Sequence, residues 1–275
     1  MLDNMYDRHN SRPDGPRRPK HRSRPHQLAD RFHTREHTTL LGVWAHPDDE
    51  AYLSAALMHR VRKAGGRVVV ATATLGEAGL DSLSPDQVAV LRHQELQDAL
   101  AVLDVRDLHI FGYPDGGCPD VDHGEGVERV EALIRDVRPD VIVTFGPDGI
   151  TGHPDHAAVS RWTIEAWRRV GHGELLLATT TDAFRIEKDS VHEQLGVSIP
   201  QSVPDGDVAL RVTPNLAERA RKRDALDAHH SQTAPFAELL GYSAFHDWFV
   251  DECFRTPTPD DLEWAAHAET AGLAT

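Results

Sequence analysis

The chain predicts an α/β fold: a mostly parallel, doubly wound sheet with an α+β extension at its C-terminal end. The first observation is that strand-like and helix-like runs alternate from Thr38 to Thr180, the pattern of βαβ units. The second is a composition of 40% hydrophobic and 27% charged residues, the balance of an ordinary globular protein. The third is length, because 275 residues with no long internal linker fit one large domain rather than two.

The elements follow in order. Thr39–Ala45 is a short apolar run, and Glu50–Ala64 carries Leu53, Leu57, Met58 and Val61 at helical spacing. Arg67–Leu75 is rich in β-branched residues and reads as the second strand. Ser84-Pro85-Asp86-Gln87 then supplies an N-cap, a proline at the first helical position and the glutamine of a capping box. The helix it opens carries Val88, Leu91, Leu96, Leu100 and Leu103. Asp107–Tyr113 is a third strand, Gly126–Val137 a helix, Asp140–Gly146 a fourth strand, His153–Val170 a helix and Glu174–Thr180 a fifth strand. Beyond Thr180 the pattern thins to a strand at Val208–Val212, a helix over Leu216–His230 and a last helix near Phe236–Val250.

Charge is divided unevenly. Residues 1–36 hold nine Arg/Lys against five Asp/Glu, a net of +4, and the rest of a chain of net −15 therefore carries −19. A body that acidic repels a phosphate backbone, so nucleic acid is excluded as the main partner. The basic head is rich in Pro and Arg and nearly devoid of apolar residues, so residues 1–37 are expected to be a disordered tail ahead of a domain over 38–275. No window approaches the roughly 20 apolar residues of a membrane span. With only Cys118 and Cys253, far apart, a disulfide scaffold is excluded and a reducing cytoplasm is expected.

Ligands of open α/β sheets bind beyond the carboxyl ends of the strands, and two strand ends carry dense polar clusters. The first strand runs into Ala45-His46-Pro47-Asp48-Asp49-Glu50, and the fourth into Gly146-Pro147-Asp148-Gly149-Ile150-Thr151-Gly152-His153-Pro154-Asp155-His156. His46 and Asp49 stand three apart, as do His153 and His156, so each helix start offers two polar groups to one point. Imidazole and carboxylate suit zinc, and a catalytic zinc keeps three protein ligands and an open position. Three of these four residues can hold the ion, with the fourth beside the open position and Asp48 or Glu50 placed to accept a proton.

At these residues the chain resembles the PIG-L/LmbE-like zinc-dependent de-N-acetylases. The resemblance runs from about Leu40 to Gln232 and includes AHPDDE at 45–50, TLGEAG at 74–79, Arg92 with Glu95, YPDGG at 113–117, GHPDH at 152–156 and AHHSQ at 228–232. It implies a Rossmann-like sheet, one Zn²⁺ per chain (Fe²⁺ being an alternative) held by His46, Asp49 and His156, and Asp48 as general base. It implies His153 facing the substrate carbonyl and Asp155 orienting a neighbouring imidazole. Arg92 and Asp115 match positions that contact the sugar. Glu50 is read as bracing the metal loop, Glu77 as bracing its turn, and His229 as a helix-end residue.

The expected reaction is hydrolysis of the amide of an N-acetylglucosamine-type small molecule, with a homo-oligomer left open. Leu80, Thr151 and the lysine-free AYLSAALM depart from the mycothiol-related members and point to another amino sugar or glycoconjugate. Three rivals are carried: a zinc amidase of thiol conjugates, a metal-dependent phosphoester hydrolase and a non-catalytic metal-binding scaffold. The second is disfavoured by the scarcity of cationic side chains, the third by an Asp48 and a His153 that a closed structural site would not need.

Overall fold

The computed structural model describes residues 37–198 and 200–267. The expected tail lies outside these residues except for His37. Five strands alternate with helices as expected: β1 (Thr39–Trp44), α1 (Asp49–Lys63), β2 (Arg67–Thr72), α2 (Pro85–Val102), β3 (Asp107–Ile110), α3 (His123–Val137), β4 (Val141–Phe145), α4 (Pro154–Val170) and β5 (Glu174–Thr181). These strands pair in parallel in the order β3-β2-β1-β4-β5. Chain order therefore reverses between β1 and β4, which opens a crevice at their carboxyl ends.

Local chemistry accounts for the elements. Every residue of β4 is buried, as is all of β1 except Thr39, so the central strands are covered on both faces. The capping box expected at Ser84 and Gln87 is present, with Pro85 opening α2. Helices α3 and α4 approach closely at Gly126, where a Cβ would come within 2.3 Å of the Trp162 ring, so only glycine fits there.

The extension differs from the sequence expectation. A helix, α5 (Asp182–Leu195), follows β5; then come the short β6 (Ser202–Val203), β7 (Leu210–Val212) and α6 (Leu216–Ala228). The single helix expected over Phe236–Val250 is instead two, α7 (His230–Leu240) and α8 (Tyr242–His246), separated at Gly241 with φ +84°. Strand β8 (Glu252–Arg255) inserts antiparallel between β5 and β7, and α9 (Pro259–Ala266) follows. Among the described residues no helix is long and apolar enough to cross a membrane.

The extension is tied to α1 by a buried ion pair. Lys222 Nζ donates to Glu252 Oε1 at 2.8 Å and to the Tyr52 carbonyl at 2.6 Å. Glu252 also accepts from the Ala56 and Leu57 amides, at 2.7 and 2.9 Å.

Candidate metal centre

The two H-P-D units leave β1 and β4 side by side and meet in the crevice between them. Both loops are conformationally demanding. Asp48, the N-cap of α1, has φ +113°, and the buried Ile150 has φ +63°, both costly for residues with a side chain. Gly149 has φ +66°, and a Cβ there would lie 2.8 Å from that of His156.

Two imidazole nitrogens and the Asp49 carboxylate converge, the carboxylate reaching each nitrogen by a different oxygen. His46 Nδ1 lies 3.1 Å from His156 Nε2, His156 Nε2 lies 3.3 Å from Asp49 Oδ1, and His46 Nδ1 lies 3.7 Å from Asp49 Oδ2. Ligands about 2.1 Å from a tetrahedral ion stand about 3.4 Å apart, so the spacing matches three corners of such a site. Outer hydrogen bonds fix which nitrogens are free. His156 Nδ1 donates to the Gly149 carbonyl at 2.8 Å, and its ring stacks on Phe145 with centroids 4.1 Å apart. His46 Nε2 faces Asp155 Oδ2 and Asp115 Oδ1, each at 3.1 Å. Were both rings neutral, the nitrogens that face each other would both present lone pairs beside a carboxylate, so the 3.1 Å contact calls for a positive charge between them, a proton or a metal ion.

The electrostatics agree. Burial would lower the proton affinity of His46, but the hydrogen bonds of Asp115 and Asp155 and the charge of Asp49 override it and raise its pKa to about 10. Burial, then the neighbouring charge of His46, pushes His156 down to about 4. The cluster has a place for one positive charge, and a divalent metal fits its donors.

Asp48 stands beside this cluster. Burial raises its carboxyl to about 6, with Arg92 opposing and Asp49 adding to the rise. His153 Nδ1 accepts the Asp155 amide at 3.2 Å, capping α4, which leaves Nε2 as the donor. Its ring lies 4.7 Å from that of His46, and its donor atoms come within reach of the same ion as those of His46 and His156. Burial, followed by the charges of His46 and His156, lowers the proton affinity of His153. Asp155 is fully buried, and its carboxylate accepts the Gly116 and Cys118 amides at 2.8 and 3.1 Å besides facing His46.

The residues expected to contact sugar line the same cavity but are bonded within the protein. Arg92 donates to the Pro47 carbonyl at 2.6 Å, the Gly76 carbonyl at 2.9 Å and Asp48 Oδ2 at 3.3 Å. Asp115 Oδ2 accepts the Ala78 amide at 3.0 Å, and Glu77 Oε1 accepts the Asp115 amide at 2.9 Å. Glu50 braces the loop as expected: Oε2 accepts the Asp48 amide at 3.0 Å, and Oε1 lies 2.7 Å from His229 Nε2. His229, fully buried at the junction of α6 and α7, reaches the loop only through Glu50.

Sequence reasoning missed two features. Glu95, which the sequence offered only as part of a motif, bonds Ser231, accepting its amide at 2.7 Å and its hydroxyl at 2.6 Å, which ties α2 to α7. The cavity of about 460 Å³ over the cluster is also walled by Tyr52, Phe236, Trp248 and Phe249. Tyr52 was open to discovery, since it follows Asp49 by three residues on one helix face; the other three lie nearly 200 residues away in the chain, beyond the reach of local spacing.

Fold and cluster define the chain as a doubly wound α/β protein with a divalent-metal centre at its topological switch point. Residues 41–167 match the PIG-L family model, described as GlcNAc-PI de-N-acetylase. The chain is 32% identical over 237 residues to a 1D-myo-inositol 2-acetamido-2-deoxy-alpha-D-glucopyranoside deacetylase of Nocardia farcinica, covering 70% of this chain and 80% of that one. A protein of the same name from Corynebacterium kroppenstedtii is 29% identical over 252 residues; the match takes in 81% of this chain but only 65% of the relative, just under two thirds of its length. In structure, the N,N'-diacetylchitobiose deacetylase of Pyrococcus horikoshii superposes with a TM-score of 0.59 at 20% identity, covering 85% of this chain and 91% of that one. The chain belongs to the PIG-L family.

Proposed function

We propose that this chain is a zinc-dependent hydrolase that removes an acyl group from the amide nitrogen of an N-acetylglucosamine-type amino sugar or glycoconjugate. The observation that carries the reading is the pair of imidazole nitrogens, His46 Nδ1 and His156 Nε2, facing each other at 3.1 Å beside Asp49, with Asp48 next to them. Two nitrogens and a carboxylate oxygen suit zinc, though iron accepts the same donors. When bound, the ion supplies a Lewis acid that polarises an amide carbonyl and lowers the pKa of water toward 7.

The chain's own residues supply the rest. Asp48 accepts the proton of the attacking water, and Arg92 and Glu50 hold it in place. His153, neutral and with Nε2–H free to donate, meets the carbonyl oxygen as charge develops there. The departing nitrogen needs a proton before the C–N bond breaks, and Asp48 carries one after the attack. Asp155 keeps His46 in the tautomer that leaves Nδ1 free. Arg92 and Asp115, on the polar rim, are the residues for the sugar.

The names of the two relatives support an amino-sugar amide, while Leu80 and Thr151 keep the particular sugar separate from theirs. We read residues 38–275 as one such domain, acting in the cytoplasm on a small molecule. Metal-replete protein should release acetate from N-acetylglucosamine conjugates, and a chelator should abolish the release. A stable zinc complex that hydrolyses no amide in a broad panel would replace this reading with that of a scaffold.

A further inference from the structure

The wall of the cavity changes character along its length. Asp49 lies in the first turn of α1, and Tyr52 and Leu53 follow on the same face, so α1 carries the wall outward from the metal centre. Across from them stand Phe236 of α7 and Trp248 and Phe249, which follow α8. Ring centroids lie 6.2 Å apart for Tyr52 and Trp248, 6.1 Å for Tyr52 and Phe249, 6.4 Å for Phe236 and Trp248, and 4.9 Å for Trp248 and Phe249.

The indole N–H of this wall is spent internally. Trp248 Nε1 donates to His192 Nε2 at 3.4 Å, and His192 Nδ1 donates to the Lys188 carbonyl at 2.8 Å, leaving apolar ring surface toward the cavity. The polar rim lies elsewhere. Asp115 stands against the Nε2 edge of His46 and Asp49, whose helix carries Tyr52, against its Nδ1 edge, so Asp115 and the start of the aromatic wall lie on different sides of that ring. Beyond the wall lies a second cavity of about 450 Å³, which shares Tyr52, Leu53, Trp248 and Phe249 with the first but is otherwise lined by charged groups such as Glu187, Lys188, Arg211 and Arg219, so the apolar surface ends at the wall.

We propose that the acyl group removed by this chain is longer than acetyl: an apolar chain that lies along the aromatic wall, while the sugar sits at the polar rim. The inference rests on the amide-hydrolase reading. An amide held with its carbonyl at the metal centre sends its amine and its acyl group in opposite directions. A polyhydroxyl amine matches the rim of Arg92 and Asp115, which leaves the wall to the acyl group. An acetyl ends at one methyl and leaves four rings facing water. The reaction is unchanged: water gives its oxygen to the acyl carbon, the C–N bond breaks, and a carboxylate and the sugar amine leave.

The test follows glucosamine release by metal-replete protein from N-acetyl-, N-butanoyl- and N-hexanoylglucosamine. A methylene laid on this wall should raise kcat/KM about fourfold. The hexanoyl-to-acetyl ratio should fall in Phe236→Ala and in Phe249→Ala, and a ratio is insensitive to the fraction of protein folded. Calorimetric titration of Asp48→Asn with the same amides reads the preference without turnover and should show tighter binding of the longer chain. A flat or falling series in both readouts, with chelator-sensitive acetate release intact, overturns the inference and leaves the hydrolase. Failure to release any acyl group overturns the hydrolase reading and the inference with it. A gain from an octyl group on the sugar's anomeric oxygen with none from the acyl chain overturns the placement.

Discussion

Asp155 and His46 lie 109 residues apart in the chain, yet Asp155 Oδ2 sits 3.1 Å from His46 Nε2 while the opposite nitrogen of that ring faces His156. A carboxylate behind a ligating imidazole fixes its tautomer and raises its basicity. Asp155→Asn should weaken metal affinity by about 10–100-fold with the fold retained. Competition with a chromophoric chelator measures it; an unchanged dissociation constant would show that the contact does not serve the ligand.

The two histidines of the second loop should separate by role. His156→Ala removes a donor atom from the centre, so the purified protein should lose its metal. His153→Ala should keep the metal and lose about 10²–10³ in turnover, the usual cost of an oxyanion donor. Metal content by elemental analysis beside kcat tests the pair, and equal metal loss in both variants would make His153 a ligand.

Asp48 sets the expected pH dependence. Burial raises its carboxyl to about 6 without a metal, and a bound cation pulls it lower. A base works only when deprotonated, so kcat/KM should fall as pH drops through a value at or below about 6. Asp48→Asn should remove that limb and cost about 10²–10⁴ in rate. An acid limb above pH 7 would point to another group.

Lys222 and Glu252 carry a stability prediction. Both are buried, and Glu252 holds two amides of α1 as well as the ammonium. Lys222→Met strands a buried carboxylate and should destabilise the fold by about 3–5 kcal/mol. Lys222→Met with Glu252→Gln should recover part of that loss, because the residual charge is gone. Urea unfolding measures both, and a single variant within 1 kcal/mol of the parent would show the pair to be solvent-relaxed.

Where the sequence was legible, the signal was local. Continuous apolar runs marked β1 and β4, the Ser84–Gln87 box marked α2, and the H-P-D units marked the two loops that meet. Strand β8 left no such mark: Glu-Cys-Phe-Arg is four residues with two charges, and Glu252 is buried there only because Lys222 comes to it from α6. Helix α5 buries little beyond His192, so its apolar periodicity is faint. The Phe236–Val250 stretch misled because its apolar residues suit a helix, while Gly241 at positive φ turns the chain within it. The partner of Glu95 left no local sign either, since the Ser231 it holds is 136 residues distant.

The lateral pairing of β1 with β4, which joins Leu40, Leu41 and Gly42 to Val141, Ile142 and Val143, has a thermodynamic consequence. Until those two strands dock, no pocket exists for an ion, and an unfolded chain offers only scattered, weak donors. The ion is therefore a selective ligand of the native state, worth about 2.7 kcal/mol at a hundredfold excess over its dissociation constant. Starvation for the metal would leave the cell with a protein that melts earlier and is degraded sooner, as well as one that is idle.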